Sequence, residues 1–373
     1  MAEATLTLTF RDGFDGSHLD PASLDRVTLD PPPLETLGPT VFAVEAGQAY
    51  RASVWPKRGL YLPTVVELAV ERGASEAYLE VALPRRRTVL YVTIDAERDR
   101  GHGANLVGLR AAAEAAQLGL EVQQVWYGDL REKTARDFDD EGTFLFFFAG
   151  SYTEWQEYGR NPDWRDLLDR LGALMRETDI PAIAVCGSHQ LLGRAFAGGW
   201  HAVAHMAAPG RAPAPIAAEL ASSPPRNLIP SPRIGEMGTF PFRTTPEGAN
   251  DPLLLGLAGR TTLFTESHCD EVVDEARSPE FVALLEPDPT REALALAPLA
   301  PAQRSRVQAL RYVGPQHRLL YSCQFHPELV IHPSFSGAQR AQAERLGTDG
   351  MQLLINLFES AKIFWQTLPG AVA

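Results

Sequence analysis

The sequence predicts an α/β protein, a mostly parallel sheet flanked by helices, preceded by a small N-terminal β-rich domain. Three observations carry this expectation. After Arg87, apolar runs of strand length alternate with helical patterns, the sign of parallel strands joined by crossovers. Two of those runs, Phe144 to Phe148 and Ala182 to Val185, are continuous rather than alternating, as in strands covered on both faces. Before Arg87 the pattern differs: Leu6, Leu8 and Phe10 alternate with threonines, and Leu79, Val81 and Leu83 with Glu80 and Ala82, as in half-buried strands. The expected boundaries are residues 1–86 for a β-rich accessory domain and 87–373 for the α/β domain.

In the first domain, Val41 to Trp55 offers further strand, and turn signals at Asp12-Gly13, Asp15-Gly16, Pro31 to Pro33 and Pro56 break the runs. That pattern suits a small sandwich or partial barrel, and no cluster of chemistry-bearing residues stands out in it. In the second domain, Thr88 to Ile94 is the first strand. Asn105 to Leu118 is an alanine-rich helix with Gly119 as its cap, and Glu121 to Trp126 is the next strand. The run Phe144 to Phe148 ends at Ala149-Gly150-Ser151. Asn161 and Pro162 open a helix whose Trp164, Leu167, Leu168, Leu171, Leu174 and Met175 share one face. Met237 to Arg243, Arg260 to Thr265, Phe281 to Leu285, Val307 to Val313 and Leu319 to Phe325 are the remaining strands. From Ser334 two helices close the chain, the last packing Leu353, Leu354, Leu357, Phe358, Ala361 and Trp365 on the sheet. Proline-rich stretches from Met206 to Pro232 and from Pro287 to Gln303 read as inserted surface loops.

With 373 residues and 45% apolar composition, the chain can bury a sizeable core. A formal charge of −13 argues against nucleic acid, since no basic run exceeds Arg85-Arg86-Arg87. No apolar segment has the length of a membrane span and the start lacks a signal-peptide pattern, so a cytoplasmic protein is expected. The three cysteines, Cys186, Cys269 and Cys323, read as reduced thiols. No Cys/His spacing matches a zinc pattern, so no metal is expected, and Cys269 and Cys323 read as buried small side chains.

Chemistry is concentrated at Cys186. A strand, Ala182 to Val185, runs into it, and Leu191, Leu192, Ala195 and Phe196 then recur at helical spacing, so Cys186 occupies a sharp strand-to-helix turn. Gly187 removes the side chain that would crowd it, and the helix amides beyond favour a thiolate and offer the Gly187 N–H to an oxyanion. The loop at Gly150 and Ser151 should stand beside this elbow, because ligands gather at the carboxyl ends of strands in an open α/β sheet. A base is at hand in Gln324-Phe325-His326-Pro327-Glu328. In an extended strand His326 and Glu328 face one way, so Glu328 can orient the imidazole, completing a nucleophile, base and orienter set.

The elbow Cys186-Gly187-Ser188-His189-Gln190-Leu191-Leu192, the later Ser267-His268-Cys269-Asp270 and the His326-Pro327-Glu328 segment resemble the class I (triad) glutamine amidotransferases. The resemblance runs over roughly residues 87–365, the stretch Gly350 to Phe358 resembling the family's last helix. It departs at two points: Ser188 stands where the family usually has glycine, and Ala149-Gly150-Ser151 where it usually has Gly-Gly-Pro. The resemblance implies a flavodoxin-like core and hydrolysis of the glutamine side-chain amide by Cys186, His326 and Glu328. Ammonia would pass to an acceptor on a separate synthetase subunit, since the chain has no P-loop and too few residues before 87 for an ATP-using domain. It further implies that Gln190 helps hold the substrate amide, beside the Gly150, Ser151 and Gly187 amides. His268 and Asp270 fall in a candidate binding loop at the mouth of the site. No cofactor is expected. Two alternatives stay open: a free-standing hydrolase of γ-glutamyl compounds with the same triad, and a non-catalytic relative that keeps the fold for binding.

Overall fold

The computed structural model describes residues 2–98, 101–206, 214–220, 234–274, 277–295 and 304–368. The chain divides into two compact units, Met1–Arg87 with Lys362–Ala373, and Thr88–Ala361. In the first unit, strands Glu3–Asp12, His18–Leu19, Glu35–Gly38, Val41–Glu45 and Glu76–Leu83 form one sheet, and Leu24–Asp30, Ala49–Pro56 and Thr64–Ala69 a second. Alternation places Leu6, Leu8, Phe10, Val81 and Leu83 on the inner face of the first sheet. There they meet Leu29, Tyr50, Ala52 and Val54 of the second in one shared core, as in a sandwich.

The second unit carries a nine-stranded sheet. Its order is Glu121–Trp126, Thr88–Thr93, Thr143–Phe148, Ala182–Val185, Leu320–Cys323, Ala309–Tyr312, Phe281–Pro287, Glu236–Thr244 and Thr262–His268. The first five strands run parallel and the later four pair antiparallel. The α/β class is therefore as read from the pattern, but the sheet is mixed and not mostly parallel. Parallel neighbours need a crossover of a dozen or more residues, usually a helix. The connection between Thr244 and Thr262 holds only the short 3-10 turns Gly248–Asn250 and Pro252–Leu254, so those strands fold back on each other.

Several local readings are corrected. The first helix spans Gly103–Ala115 and stops short of Leu118, because Gln117 turns to φ 55°. Within the first proline-rich stretch, Ala214–Pro215 pairs with Val203–His205 and Ile216–Leu220 is helical; residues 207–213 and 221–233 lie outside the described residues. In the second, the Asp288 side chain caps a 3-10 turn over Pro289–Leu294, while 296–303 lie outside the described residues. The helix Trp155–Arg160 and the strand Asp270–Val272 have no counterpart in the sequence pattern. Pro162–Glu177 is a helix, with the Asn161 side chain accepting from the Asp163 amide. Among the described residues no helix is long and apolar enough to cross a membrane.

Candidate active site

Three adjacent parallel strands set the site. Thr143–Phe148, Ala182–Val185 and Leu320–Cys323 lie side by side, so residues just past their carboxyl ends, Gly150, Cys186 and His326, converge. Cys186 takes φ 50° and ψ −111°, a conformation that costs a residue with a side chain about 1–3 kcal/mol and is held by its surroundings. Its amide donates to the Cys323 carbonyl at 2.8 Å, and the helix Gly187–Ala197 begins at once. Two glycines let the parts close on one another. A Cβ on Gly187 would stand 2.8 Å from the Ser151 Cβ, and one on Gly150 would stand 2.8 Å from His326 Cε1 and 3.2 Å from the Cys186 Cβ.

His326 Nδ1 donates to Glu328 Oε1 at 2.9 Å, and the same oxygen accepts from Asn105 Nδ2 at 2.7 Å. Tyr152 donates in turn to Asn105 Oδ1 at 3.3 Å. One turn beyond Asn105, Gly108 packs its backbone on this segment: a Cβ there would stand 1.8 Å from the Glu328 carbonyl oxygen. Gly108→Ala must therefore push the helix away and break the Asn105–Glu328 bond. The expected loss is about 1–3 kcal/mol in chemical denaturation, the cost of overpacking, and parental stability would show that the contact yields freely.

Burial, the largest single influence, opposes a charge on His326, but the Glu328 carboxylate and the charge and hydrogen bond of Cys186 together outweigh it, and the imidazole is pushed up to about 10. The imidazole is thereby held as an imidazolium at neutral pH. Because this value lies above that of an unfolded histidine, the stability it lends is complete below about pH 6.5 and fades as the pH climbs through about 10. Denaturation midpoints across that range should fall for the parent and stay flatter for His326→Gln; parallel curves would remove the linkage.

The loop after Phe148 is tied from two sides. The Ser188 hydroxyl, on the elbow helix, donates to the Ala149 carbonyl at 2.6 Å. From the other side, Asp95 Oδ1 accepts from the Tyr152 amide at 2.6 Å, the Thr153 hydroxyl at 3.1 Å and the Ser151 hydroxyl at 3.3 Å. Asp95 Oδ2 is in turn held by His102 Nε2 at 2.5 Å, whose Nδ1 accepts from the Tyr91 hydroxyl at 2.9 Å. The departures from glycine at Ser188 and from Gly-Gly-Pro at Ala149-Gly150-Ser151 thus meet in one hydrogen bond. The Gly150 and Ser151 amides have no hydrogen-bond partner among the described residues.

Gly150, Ser151, Cys186, Gly187 and His326 border a cavity of about 230 Å³. Gln190 lines it, but its polar atoms face protein: Oε1 accepts from Trp155 Nε1 at 2.8 Å, and Nε2 donates to the Asp270 carbonyl at 2.9 Å. His268 Nδ1 donates to that carbonyl as well, at 2.9 Å, and the Asp270 side chain bonds His205 at 2.6 Å. His332 shares the cavity; burial, aided by the charge of His326, pushes it down to about 3. Cys323 is buried as expected, whereas Cys269 is half-buried and lines the cavity. Of the groups that pattern reading passed over, Asp95 had a signal, its place at the end of a parallel strand. Asn105, Tyr152 and His332 had none, since only the folded chain brings them to Cys186, His326 and Glu328.

No family model and no curated protein matches the chain. Among solved structures it is similar to a putative GMP synthase subunit from Thermoplasma acidophilum, with 14% identity over 74% of this chain and 95% of that one, at TM-score 0.42. A glutamine amidotransferase from Thermotoga maritima is 13% identical over 74% of this chain and 99% of that one, at TM-score 0.48. The glutaminase domain of Trypanosoma brucei CTPS with bound acivicin is 15% identical over 73% and 94%, at TM-score 0.44.

Proposed function

We propose that the chain hydrolyses the side-chain amide of glutamine through Cys186, His326 and Glu328, using the parallel half of the sheet as a flavodoxin-like core. The observation that carries this reading is the strained Cys186 elbow set against an imidazole that Glu328 and Asn105 hold in place. The Cys186 thiolate attacks the amide carbon, forming a C–S bond and an oxyanion. The amides of Gly187 and of Gly150 or Ser151 stabilise that oxyanion, each donor lowering the barrier by about 3–4 kcal/mol. His326 protonates the departing ammonia, then takes a proton from water as it attacks the thioester, and glutamate leaves. Gln190 frames the amide subsite through its bonds to Trp155 and Asp270, and the His268–Asp270 loop borders the entrance.

Ammonia then passes to an acceptor activated by a separate synthetase subunit, with residues 1–86 as an accessory domain outside the chemistry. We place the protein in the cytoplasm, where its three free cysteines stay reduced. One observation favours a second reading, a free-standing γ-glutamyl hydrolase: the loop at Gly150 is anchored within the chain by Ser188 and Asp95, so no partner is needed to set it. The test is ammonia release by the purified chain from glutamine and from γ-glutamyl peptides, with labelling by a thiol-directed glutamine analogue. Glutamine turnover and a single label on Cys186 support the first reading. Turnover of the peptides alone favours the second, and absence of both turnover and label leaves a binding protein.

A further inference from the structure

A second cluster of ionisable groups stands behind the cavity wall, apart from the triad. Glu236 and His268 are cross-strand partners in the antiparallel pair Glu236–Thr244 and Thr262–His268, and Glu266, two residues before His268, shares their face. The cross-strand partner of Glu266 is Gly238. All three side chains are buried, with Glu236 and Glu266 at 0% exposure and His268 at 5%.

The polar atoms there are poorly matched to one another. His268 Nδ1 donates to the Asp270 carbonyl, which leaves Nε2 as the inward atom. Nε2 lies 3.0 Å from Glu236 Oε2 and 3.1 Å from Glu266 Oε2, yet aligns a hydrogen bond with neither. Both oxygens of Glu266 lack a hydrogen-bond partner among the described residues, a costly state for a fully buried carboxylate. Arg304 contacts Glu236 and Glu292 directly and reaches Glu266 only through its field. Three side-chain atoms able to ligate thus converge, and both oxygens of Glu266 are left without a donor among the described residues.

We propose that Glu236, Glu266 and His268 bind a divalent cation of the zinc or manganese class, which fixes the Ser267–Asp270 wall of the cavity. The spacing suits it. Ligands about 2.1 Å from a shared ion stand roughly 3.0–3.4 Å apart, and the donor atoms of the three residues all lie within 4.8 Å of one another. The bond from Nδ1 to the Asp270 carbonyl is the outer contact by which proteins orient a metal-bound imidazole. Carboxylates with one imidazole are the donor set that these ions accept. The donors come from sequence positions 236, 266 and 268 on two strands, which is why no Cys/His spacing announces them.

The experiment is metal analysis of the full chain purified without a chelator or histidine tag, then stripped and titrated with Zn²⁺ and Mn²⁺. About one equivalent per chain is expected, with a rise in melting temperature on reloading. Glu266→Gln should lose the metal, and Cys186→Ala should keep it. Stripped Glu266→Gln should melt higher than stripped parent, because it removes a buried, unpartnered carboxylate. No uptake at millimolar metal, uptake that survives Glu266→Gln, or uptake lost in Cys186→Ala would each overturn the site. A stripped Glu266→Gln protein that melts lower than stripped parent would show that a proton on His268 closes the cluster instead. None of these readings uses glutamine turnover, so the cation site and the proposed reaction stand or fall separately.

Discussion

Cys186→Ala is expected to release no ammonia above background while melting at the parent's temperature. Loss of the nucleophile in a hydrolase triad costs about 10⁶ in rate; burial holds the Cys323 thiol far above its ordinary range, and Cys269, which lines the cavity, sets its sulfur against Gly235 and not in the elbow. The stability half of the result rests on the elbow backbone. Alanine keeps the penalty of φ 50° and ψ −111°, so the substitution trades one small buried side chain for another. Cys186→Gly separates the two effects. Glycine escapes about 1–3 kcal/mol of strain and gives back about 0.5–1 kcal/mol in chain entropy. It should be equally inactive and more stable than Cys186→Ala by about 1 kcal/mol, the difference of those two terms. Measurable turnover in either variant, or a Gly variant less stable than Ala, would remove the strained nucleophile from the account.

His326→Ala should be as damaging as loss of the nucleophile, whereas Glu328→Gln should lose about two to four orders of magnitude. The amide oxygen of glutamine can still accept from both His326 and Asn105, so the geometry survives. What disappears is the negative charge that most strongly counters burial at His326. The imidazolium is then easier to deprotonate. Parent activity should fall on the alkaline side near pH 10, and in Glu328→Gln that limb should move to lower pH. Equal rates for Glu328→Gln and parent, or an unmoved limb, would dismiss Glu328 as the orienting carboxylate.

How much of this was legible beforehand depends on the range of the interactions. The strand Ala182–Val185 and its turn at Cys186 were readable because a continuous apolar run and the helical spacing after it are local patterns. His326 and Glu328 were readable because they sit two apart in an extended segment. Sheet direction was not: the crossover pattern after Arg87 says nothing of the later segments, whose connections carry no crossover helix among the described residues and leave four strands antiparallel. Asn105 was silent because it acts through a partner far along the chain, and Asp95, though visible at a strand end, bonds partners that only the fold reveals. The Glu236, Glu266 and His268 cluster was hidden for the same reason, since strand register alone brings Glu236 opposite His268.

The bond between Asn105 and Glu328 joins residues 223 apart, and Gly350 packs against Pro327 so closely that a Cβ there would stand 2.1 Å from its carbonyl. The elbow is synthesised early and its base late. At about 5–20 residues per second, roughly 10–45 s separate the emergence of Asn105 from that of Glu328 on the ribosome. A nascent chain that already displays Cys186 has no imidazole to activate it, so unfinished or truncated products carry a silent thiol. Under the proposed reaction, ammonia release therefore waits for the segment that carries His326 and Glu328.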